Sequence, residues 1–212
     1  LGAATYRPTI DRRRPLLRVE RLESPTLRQV SFELHAGEVL GCSGLMGAGQ
    51  GELALILAGA RAASAGEIEV DGVRQRIRSV RDSVRAGLAY VPEDRLSQGL
   101  FLGQSVARNV TAASLRRLRS AMGLVSPGRV EAEAAAWTNQ LGVRVPSLGA
   151  AVRTLSGGNQ QRVVLSKWLA TAPRVFVLNG PTVGVDIGAK EAIHLAIRRL
   201  AERGMGVLMV SD

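Results

Sequence analysis

The segment Gly44-Leu45-Met46-Gly47-Ala48-Gly49-Gln50-Gly51 constrains the fold more than any other part of the sequence. It has the spacing of the phosphate-binding loop G-x-x-x-x-G-K-[ST], and it lies between a strand-like run and a helix-like run at residues 52–58, as that loop requires. Its glycines let successive backbone N–H groups turn toward phosphates at the positive end of a helix. Glycine clusters also serve ordinary tight turns, so this segment alone leaves phosphate binding open.

The loop lacks the chemistry that its spacing suggests. Gln50 occupies the lysine position and Gly51 the serine or threonine position. The cation that reaches the β- and γ-phosphates and the hydroxyl that holds Mg²⁺ are therefore both absent. We expect Gly44, Gly47, Gly49, Gln50 and Gly51 to form a nucleotide-binding loop without its catalytic groups.

The rest of the pattern predicts an α/β fold. Short apolar runs separated by turn-prone residues favour strands of a small antiparallel sheet at residues 16–19, 30–34 and 38–40. Residues 67–70 return to strand alternation, and residues 105–141 turn helical. The last part alternates between helix and strand, at residues 156–170, 175–178, 189–202 and 207–210. Such βαβ alternation predicts a largely parallel sheet flanked by helices.

Composition limits the classes of function. The 212 residues are 46% apolar, which supports one hydrophobic core, and the longest apolar runs are strand-sized, so any membrane role must be peripheral. A single cysteine, Cys42, suits a reducing cytoplasm and is expected to be a small buried residue. The net charge of +10 invites nucleic acid as a partner, but the arginines are scattered and aromatic residues make up only 3%. An arginine-rich surface facing acidic lipids or another subunit fits the charge better.

The most specific string is Leu155-Ser156-Gly157-Gly158-Asn159-Gln160-Gln161-Arg162, which opens a predicted helix. Ser156 is in N-cap position, and the first backbone N–H groups of a helix have no partner within it. This string resembles the signature motif of ATP-binding cassette (ABC) proteins.

Further segments extend the resemblance. Residues 175–182 resemble the Walker B strand, with Asn179 and Gly180 where the family has Asp-Glu; an amide supplies no charge for Mg²⁺, and glycine cannot polarise a water. Residues 184–186 resemble the D-loop, where Asp186 is expected to cap the next helix. Glu93 occupies the Q-loop position. Asp212 would stand for the switch histidine, and no A-loop aromatic is evident.

The resemblance covers residues 16–212, after a linker or arm at residues 1–15. It implies a P-loop NTPase (RecA-like) core with a small antiparallel β subdomain and a helical subdomain at about residues 100–165, truncated at the C-terminus. Within the family the chain looks most like the second, degenerate cassette of a bacterial monosaccharide importer of the ribose, xylose or galactose type.

That resemblance implies a division of labour. Cassettes of this family pair head to tail, so the signature residues Leu155, Ser156, Gly157, Gly158 and Gln161 would complete the site of a first cassette upstream or of a second ATPase subunit. ATP and Mg²⁺ would act mainly at that partner site, and the isolated cassette would be inactive.

The resemblance also implies partners and a place. The expected partners are transmembrane permease subunits and, indirectly, a periplasmic or lipid-anchored sugar-binding protein, at the cytoplasmic face of the inner membrane. Nucleic acid is not expected. Two alternatives stay open: a soluble ABC ATPase of translation or DNA repair, and a non-hydrolysing nucleotide sensor.

Overall fold

The computed structural model describes residue 10, residues 13–45 and residues 47–211. Most of the arm expected at residues 1–15 lies outside this range, and so do Met46 and Asp212. The strands are β1 (Leu17–Glu23), β2 (Val30–Leu34), β3 (Val39–Ser43), β4 (Ala65–Val70), β5 (Val73–Gln75), β6 (Leu88–Val91), β7 (Val175–Asn179) and β8 (Gly206–Ser211). The α-helices are α1 (Gln50–Leu57), α2 (Val80–Arg85), α3 (Val106–Thr111), α4 (Leu115–Leu118), α5 (Pro127–Gln140), α6 (Gly157–Leu169) and α7 (Ile187–Glu202). A π-helical turn at Arg95–Gly99 and a 3₁₀ turn at Val152–Thr154 complete the set.

The described strands form two four-stranded sheets. The first has the order β2-β1-β4-β5, and its neighbouring strands are antiparallel. The second has the order β3-β8-β7-β6, in which β3 and β8 run parallel from the pair Val39–Val207 to the pair Ser43–Ser211. Burial in β1 follows the strand period at Leu17 and Val19, and a register shift between Val19 and Leu22 brings Leu22 to a buried position as well. The predicted α/β class, with an antiparallel sheet and a parallel sheet, is confirmed.

The expected place of residues 38–40 is wrong. We expected this run in the antiparallel sheet, but β3 pairs with β8 in the parallel sheet. A three-residue apolar run carries no information about a pairing partner that lies more than 160 positions away in the sequence. Cys42, expected to be buried, is half-buried, because β3 lies at the edge of its sheet among the described strands.

The helical region at residues 105–141 is interrupted. Between α4 and α5 the chain makes an antiparallel bridge from Arg119 to Val125. The later elements agree closely with the predicted ones: α6 begins one residue after Ser156, and β7, α7 and β8 overlap the expected segments.

The described residues group into two compact units. The first contains the described chain up to Leu88, Arg174–Val177 and the chain from Ile197 onward; the second contains Ala89–Pro173 and Leu178–Ala196. Among the described helices, none is long and apolar enough to cross a membrane.

In the first unit, a buried carboxylate ties the loop after β1 to α1. Glu52, on the first turn of α1, accepts hydrogen bonds from the hydroxyl of Ser24 (2.7 Å), from the hydroxyl and the backbone N–H of Thr26, and from Arg61 (3.1 Å). The Thr26 hydroxyl, followed by the Ser24 hydroxyl, is the main cause that lowers the pKa of Glu52 to about 2. This network holds residues 24–27 against the beginning of α1.

We expect Glu52→Gln to remove a pH-dependent part of the stability of the folded chain. Because folding lowers the pKa of Glu52 from 4.5 to about 2, its contribution is complete above about pH 4.5 and is lost as the pH falls toward 2. The urea midpoint of the wild-type chain should therefore fall over this range by more than that of the variant. Glu131→Gln, at an exposed position on α5, serves as the control. Parallel pH profiles for wild type and Glu52→Gln would contradict the role of this network.

Candidate functional site

The glycine-rich loop leads into α1 through a left-handed glycine. Gly49 is the N-cap of α1 with a φ of +102°, and a Cβ built there would lie 2.8 Å from the Leu27 side chain. Only glycine fits this close, left-handed position without displacing its neighbours. Cβ atoms built at Gly47 and Gly51 would meet no described atom within 4 Å.

Gln50, at the expected lysine position, forms hydrogen bonds within its own loop. Its side chain is buried, and its amide nitrogen donates to the carbonyl oxygens of Gly44 (3.4 Å) and Leu45 (3.1 Å). The amide therefore binds the carbonyl groups of its own loop and carries no charge to offset phosphates. Backbone N–H groups at the beginning of α1 remain as the donors that suit a phosphate.

In the second unit, the end of β7 holds an amide where the family motif has an acid. Asn179 is half-buried and forms a side-chain hydrogen bond with Tyr90 of β6. Burial raises the pKa of the Tyr90 hydroxyl, and the hydrogen bond with Asn179 opposes that shift. The polar group of Asn179 thus has a neutral partner within the protein.

Gly180 has a backbone that disfavours any side chain. Its φ is +52°, and a Cβ built there would lie 3.0 Å from Cγ of Glu93 and 3.0 Å from Cγ2 of Val183. A left-handed φ is strained for residues other than glycine, and the nearby side chains add a steric cost. Glu93, at the expected Q-loop position, is therefore packed over the point from which a glutamate side chain at residue 180 would begin.

These residues do not fit a bound Mg²⁺ ion. Mg²⁺ prefers oxygen ligands, commonly carboxylates, together with waters and phosphates. Positions 51, 179 and 180 offer one amide and no carboxylate or hydroxyl. Within the described part of the chain, no group of three or more His, Cys, Asp or Glu side chains is placed to hold a metal ion.

The beginning of α6 presents a different kind of surface. Ser156 is the exposed N-cap, and its side chain makes no capping hydrogen bond to the helix backbone. Its hydroxyl oxygen instead accepts a hydrogen bond from the Asn159 amide (3.1 Å), which leaves the hydroxyl hydrogen to be donated elsewhere. The first N–H groups of α6 have no acceptor within the helix. The arrangement suits oxygen atoms of an anion.

The other signature residues differ in exposure. Leu155 and Gly157 are half-buried, whereas Gly158 is buried. Gln161 is 2% exposed and therefore packs inside the unit, so its side chain is not presented to a partner in this conformation. Sequence alone did not separate the exposed and buried faces of this motif.

The turn after β7 leads directly into α7. Asp186 accepts a hydrogen bond from the backbone N–H of Ala189 at 2.8 Å, so the expected helix cap is confirmed. One residue that our sequence analysis gave no role is prominent here. Arg95 donates to the carbonyl oxygens of Val183 and Gly184, both at 2.9 Å. These two contacts join residues that are 88 and 89 positions apart in the sequence, and no local sequence signal indicates them.

Comparison with known proteins agrees with this geometry. The sequence model of the ABC transporter family matches residues 27–183. The chain belongs to the ABC transporter family. It is 44% identical over 199 residues to the ribose import ATP-binding protein RbsA 1 of Rhizobium meliloti, which covers 93% of this chain and 39% of that protein. It is 43% identical over 185 residues to a putative ribose/galactose/methyl galactoside import ATP-binding protein of Ralstonia nicotianae, which covers 87% of this chain and 36% of that protein.

This ABC chain thus spans less than two fifths of the length of these relatives. Solved structures share its fold. A nucleotide-free ATP-binding cassette from an ABC transporter superposes with a TM-score of 0.81 at 20% identity, covering 93% of this chain and 81% of that one. A dimeric ATP-binding cassette bound to ADP and phosphate gives a TM-score of 0.76 at 18% identity, covering 92% and 87%. The ABC ATPase fold is confirmed.

The packing at Gly180 predicts that alanine variants of two glycines in the second unit lose different amounts of unfolding free energy. Gly142 also has a positive φ (+61°), but a Cβ built there would meet nothing within 4 Å. We expect Gly142→Ala to cost about 1 kcal/mol from backbone strain alone. Gly180→Ala should cost about 1 kcal/mol more, because the new methyl group meets Glu93 and Val183. Urea denaturation of both variants tests this, and equal losses would contradict the close packing over Gly180.

Proposed function

We propose that this chain is the second, degenerate cassette of a bacterial sugar-import ATPase. In this proposal it completes the ATP site of a partner cassette through its signature helix, while its own site does not hydrolyse ATP. The observation that carries the asymmetry is Gly180, whose left-handed backbone and close neighbours Glu93 and Val183 disfavour the glutamate side chain of an active site. The 44% identity to a ribose import ATP-binding protein supports the sugar-import assignment.

The signature helix supports the first half of the proposal. The exposed Ser156 hydroxyl and the unpaired N–H groups at the beginning of α6 would donate to oxygens of the γ-phosphate held by the partner. ATP with Mg²⁺ supplies the transferable phosphoryl group and neutralises part of its charge. Donors fixed before the reaction stabilise charge as it develops, without reorganising during the step.

The chain's own loop supports the second half. The glycine-rich loop and the backbone N–H groups at the beginning of α1 are suited to weak or structural binding of phosphates. Gln50 offers no positive charge, and residues 51, 179 and 180 offer no carboxylate or hydroxyl for a metal ion. We infer that these residues hold a nucleotide at most and neither polarise water nor support a metal.

The proposed partners follow from the same assignment. A first cassette, in the same polypeptide or in a second ATPase subunit, would supply the competent loop and carboxylates. Transmembrane permease subunits would anchor the pair at the cytoplasmic face of the inner membrane, and a sugar-binding protein would act through them. The relatives are named for ribose, galactose or methyl galactoside import, so pentoses and hexoses are the first substrates to test.

The proposal predicts unequal effects for two variants of the full-length protein. Ser156→Ala should lower sugar-stimulated ATPase activity by roughly 10- to 100-fold, since removing one preorganised donor can cost on the order of 100-fold or more. Gln50→Ala should change activity less than about twofold, because that site lacks its transition-state groups. The measurement is ATP turnover in vesicles that contain the membrane subunits and a ribose-loaded or galactose-loaded binding protein.

Ser126→Ala provides the matched control. Ser126 is the exposed N-cap of α5, and its side chain also makes no capping hydrogen bond. Loss of activity in this variant would indicate a general effect of removing such a serine. If Gln50→Ala is as damaging as Ser156→Ala, the chain's own site is catalytically active and the asymmetric proposal is wrong.

A further inference from the structure

Arg95 lies where three segments of the second unit meet. Its Nη1 donates to the carbonyl oxygen of Val183 and its Nη2 to that of Gly184, each at 2.9 Å. A guanidinium group is planar and presents its donors in a fixed fork, so two bonds to successive carbonyl groups define its position and orientation. Arg95 therefore fixes the turn between β7 and α7 from one side.

The same guanidinium packs against the first residue of α6. A Cβ built on Gly157 would lie 2.8 Å from Nη2 of Arg95 and 3.4 Å from the carbonyl oxygen of Gly184. The next residue is equally close to the following helix, since a Cβ on Gly158 would lie 2.7 Å from Cβ of Ala189. The two signature glycines thus allow α6 to begin directly against Arg95 and the first turn of α7.

Arg95 is itself held in place. It begins the π-helical turn, and the Asp94 side chain caps this turn by accepting from Leu96 N (3.0 Å), Ser97 N (3.2 Å) and the Ser97 hydroxyl (2.6 Å). At the other end, the carbonyl oxygen of Gly99 accepts a hydrogen bond from Lys167, a buried residue of α6. The turn is therefore attached to α6 near its beginning and again ten residues later.

One cost of this arrangement is visible. The Nε atom of Arg95 is buried and has no hydrogen-bond partner among the described residues. An unsatisfied buried donor opposes folding, so the two carbonyl bonds must compensate for it. Both terminal nitrogens of the guanidinium donate to backbone carbonyl groups. The group is therefore suited to hold the turn at residues 183 and 184 in place.

We propose that Arg95 is a positioning residue that ties the turn at residues 183–186 to the beginning of α6 and thereby orients Ser156 toward a partner's phosphate. This inference rests on the proposed function for its effect on ATP turnover. Small displacements of a donor from its productive position reduce rates strongly, so loss of the fork should lower turnover through the position of Ser156. The close approach of Arg95 also explains why glycine is favoured at residue 157.

The test uses the full-length protein with its membrane subunits and sugar-loaded binding protein in vesicles. Arg95→Lys keeps the charge but cannot form the planar fork to two carbonyl groups. We expect kcat for ATP to fall about tenfold, with KM changed less than about twofold, because the substrate is held by the other cassette. Hydrogen exchange of peptides covering residues 182–188 should be faster in the variant.

Two further variants control for other causes. Arg117, on α4, donates to the carbonyl oxygen of Ala170, so Arg117→Lys alters the same kind of bond without touching the turn or the signature residues. It should leave kcat and exchange at residues 182–188 unchanged. Gly157→Ala should displace the guanidinium of Arg95, and combining it with Arg95→Lys should lower kcat by less than the product of the two separate effects.

The outcomes separate the two proposals. Unchanged exchange at residues 182–188 in Arg95→Lys, or multiplicative effects in the double variant, would overturn the positioning role. So would an unchanged kcat in Arg95→Lys when Ser156→Ala lowers kcat. If Ser156→Ala leaves turnover intact, the proposed function fails, and faster exchange in Arg95→Lys would still support the tie between Arg95 and the turn.

Discussion

Gly180 has a φ of +52°, and the side chain of Glu93 stands 3.0 Å from the point where its Cβ would be. The proposed asymmetry between the two ATP sites depends on this contact. The position follows a buried apolar strand, and the resemblance to the Walker B motif predicts a water-polarising residue there. Here the backbone has taken a conformation that glycine alone adopts without strain, and the neighbouring glutamate covers the space. A side chain at this position would therefore add a close contact with Glu93 and Val183 to the backbone strain.

Neutral amide side chains stand at two other positions where the resemblance predicts charged groups. Asn179 bonds with Tyr90, and Gln50 donates to carbonyl groups of its own loop. Each of these two amides has a neutral hydrogen-bond partner within the protein and carries no charge. The beginning of α6 differs, since Ser156 is exposed and its hydroxyl oxygen accepts from no backbone N–H of the helix. The neutral side chains at Gln50 and Asn179 and the exposed serine at the beginning of α6 together motivate the asymmetric proposal.

Sequence reasoning succeeded where the decisive interactions are local. The N-cap position of Ser156, the cap formed by Asp186 and the order of the last helices and strands follow from turn chemistry and periodicity. The signature string at residues 155–162 is by itself enough to indicate the ABC family. Those features depend on residues within a few positions of one another.

Sequence reasoning failed where the partner is distant. The place of β3 depends on pairing with β8, and the half-burial of Cys42 follows from that edge position. The fork from Arg95 to residues 183 and 184 and the packing of Glu93 over Gly180 also join segments that are far apart in the sequence. No periodicity encodes such contacts, although Gly180 at the glutamate position was itself a sequence-level sign of altered chemistry.

Mapping the site of catalytic trapping would test the central claim most directly. The full-length protein would be placed in vesicles with its membrane subunits and sugar-loaded binding protein, and supplied with photoreactive ATP, Mg²⁺ and orthovanadate. Orthovanadate traps the nucleoside diphosphate at a site that completes hydrolysis. Peptide mapping after illumination would then locate the label. The account predicts about one trapped nucleotide per pair of cassettes, attached to the partner cassette and not near residues 44–51. Vanadate-dependent labelling near residues 44–51 at a level equal to that of the partner would contradict it.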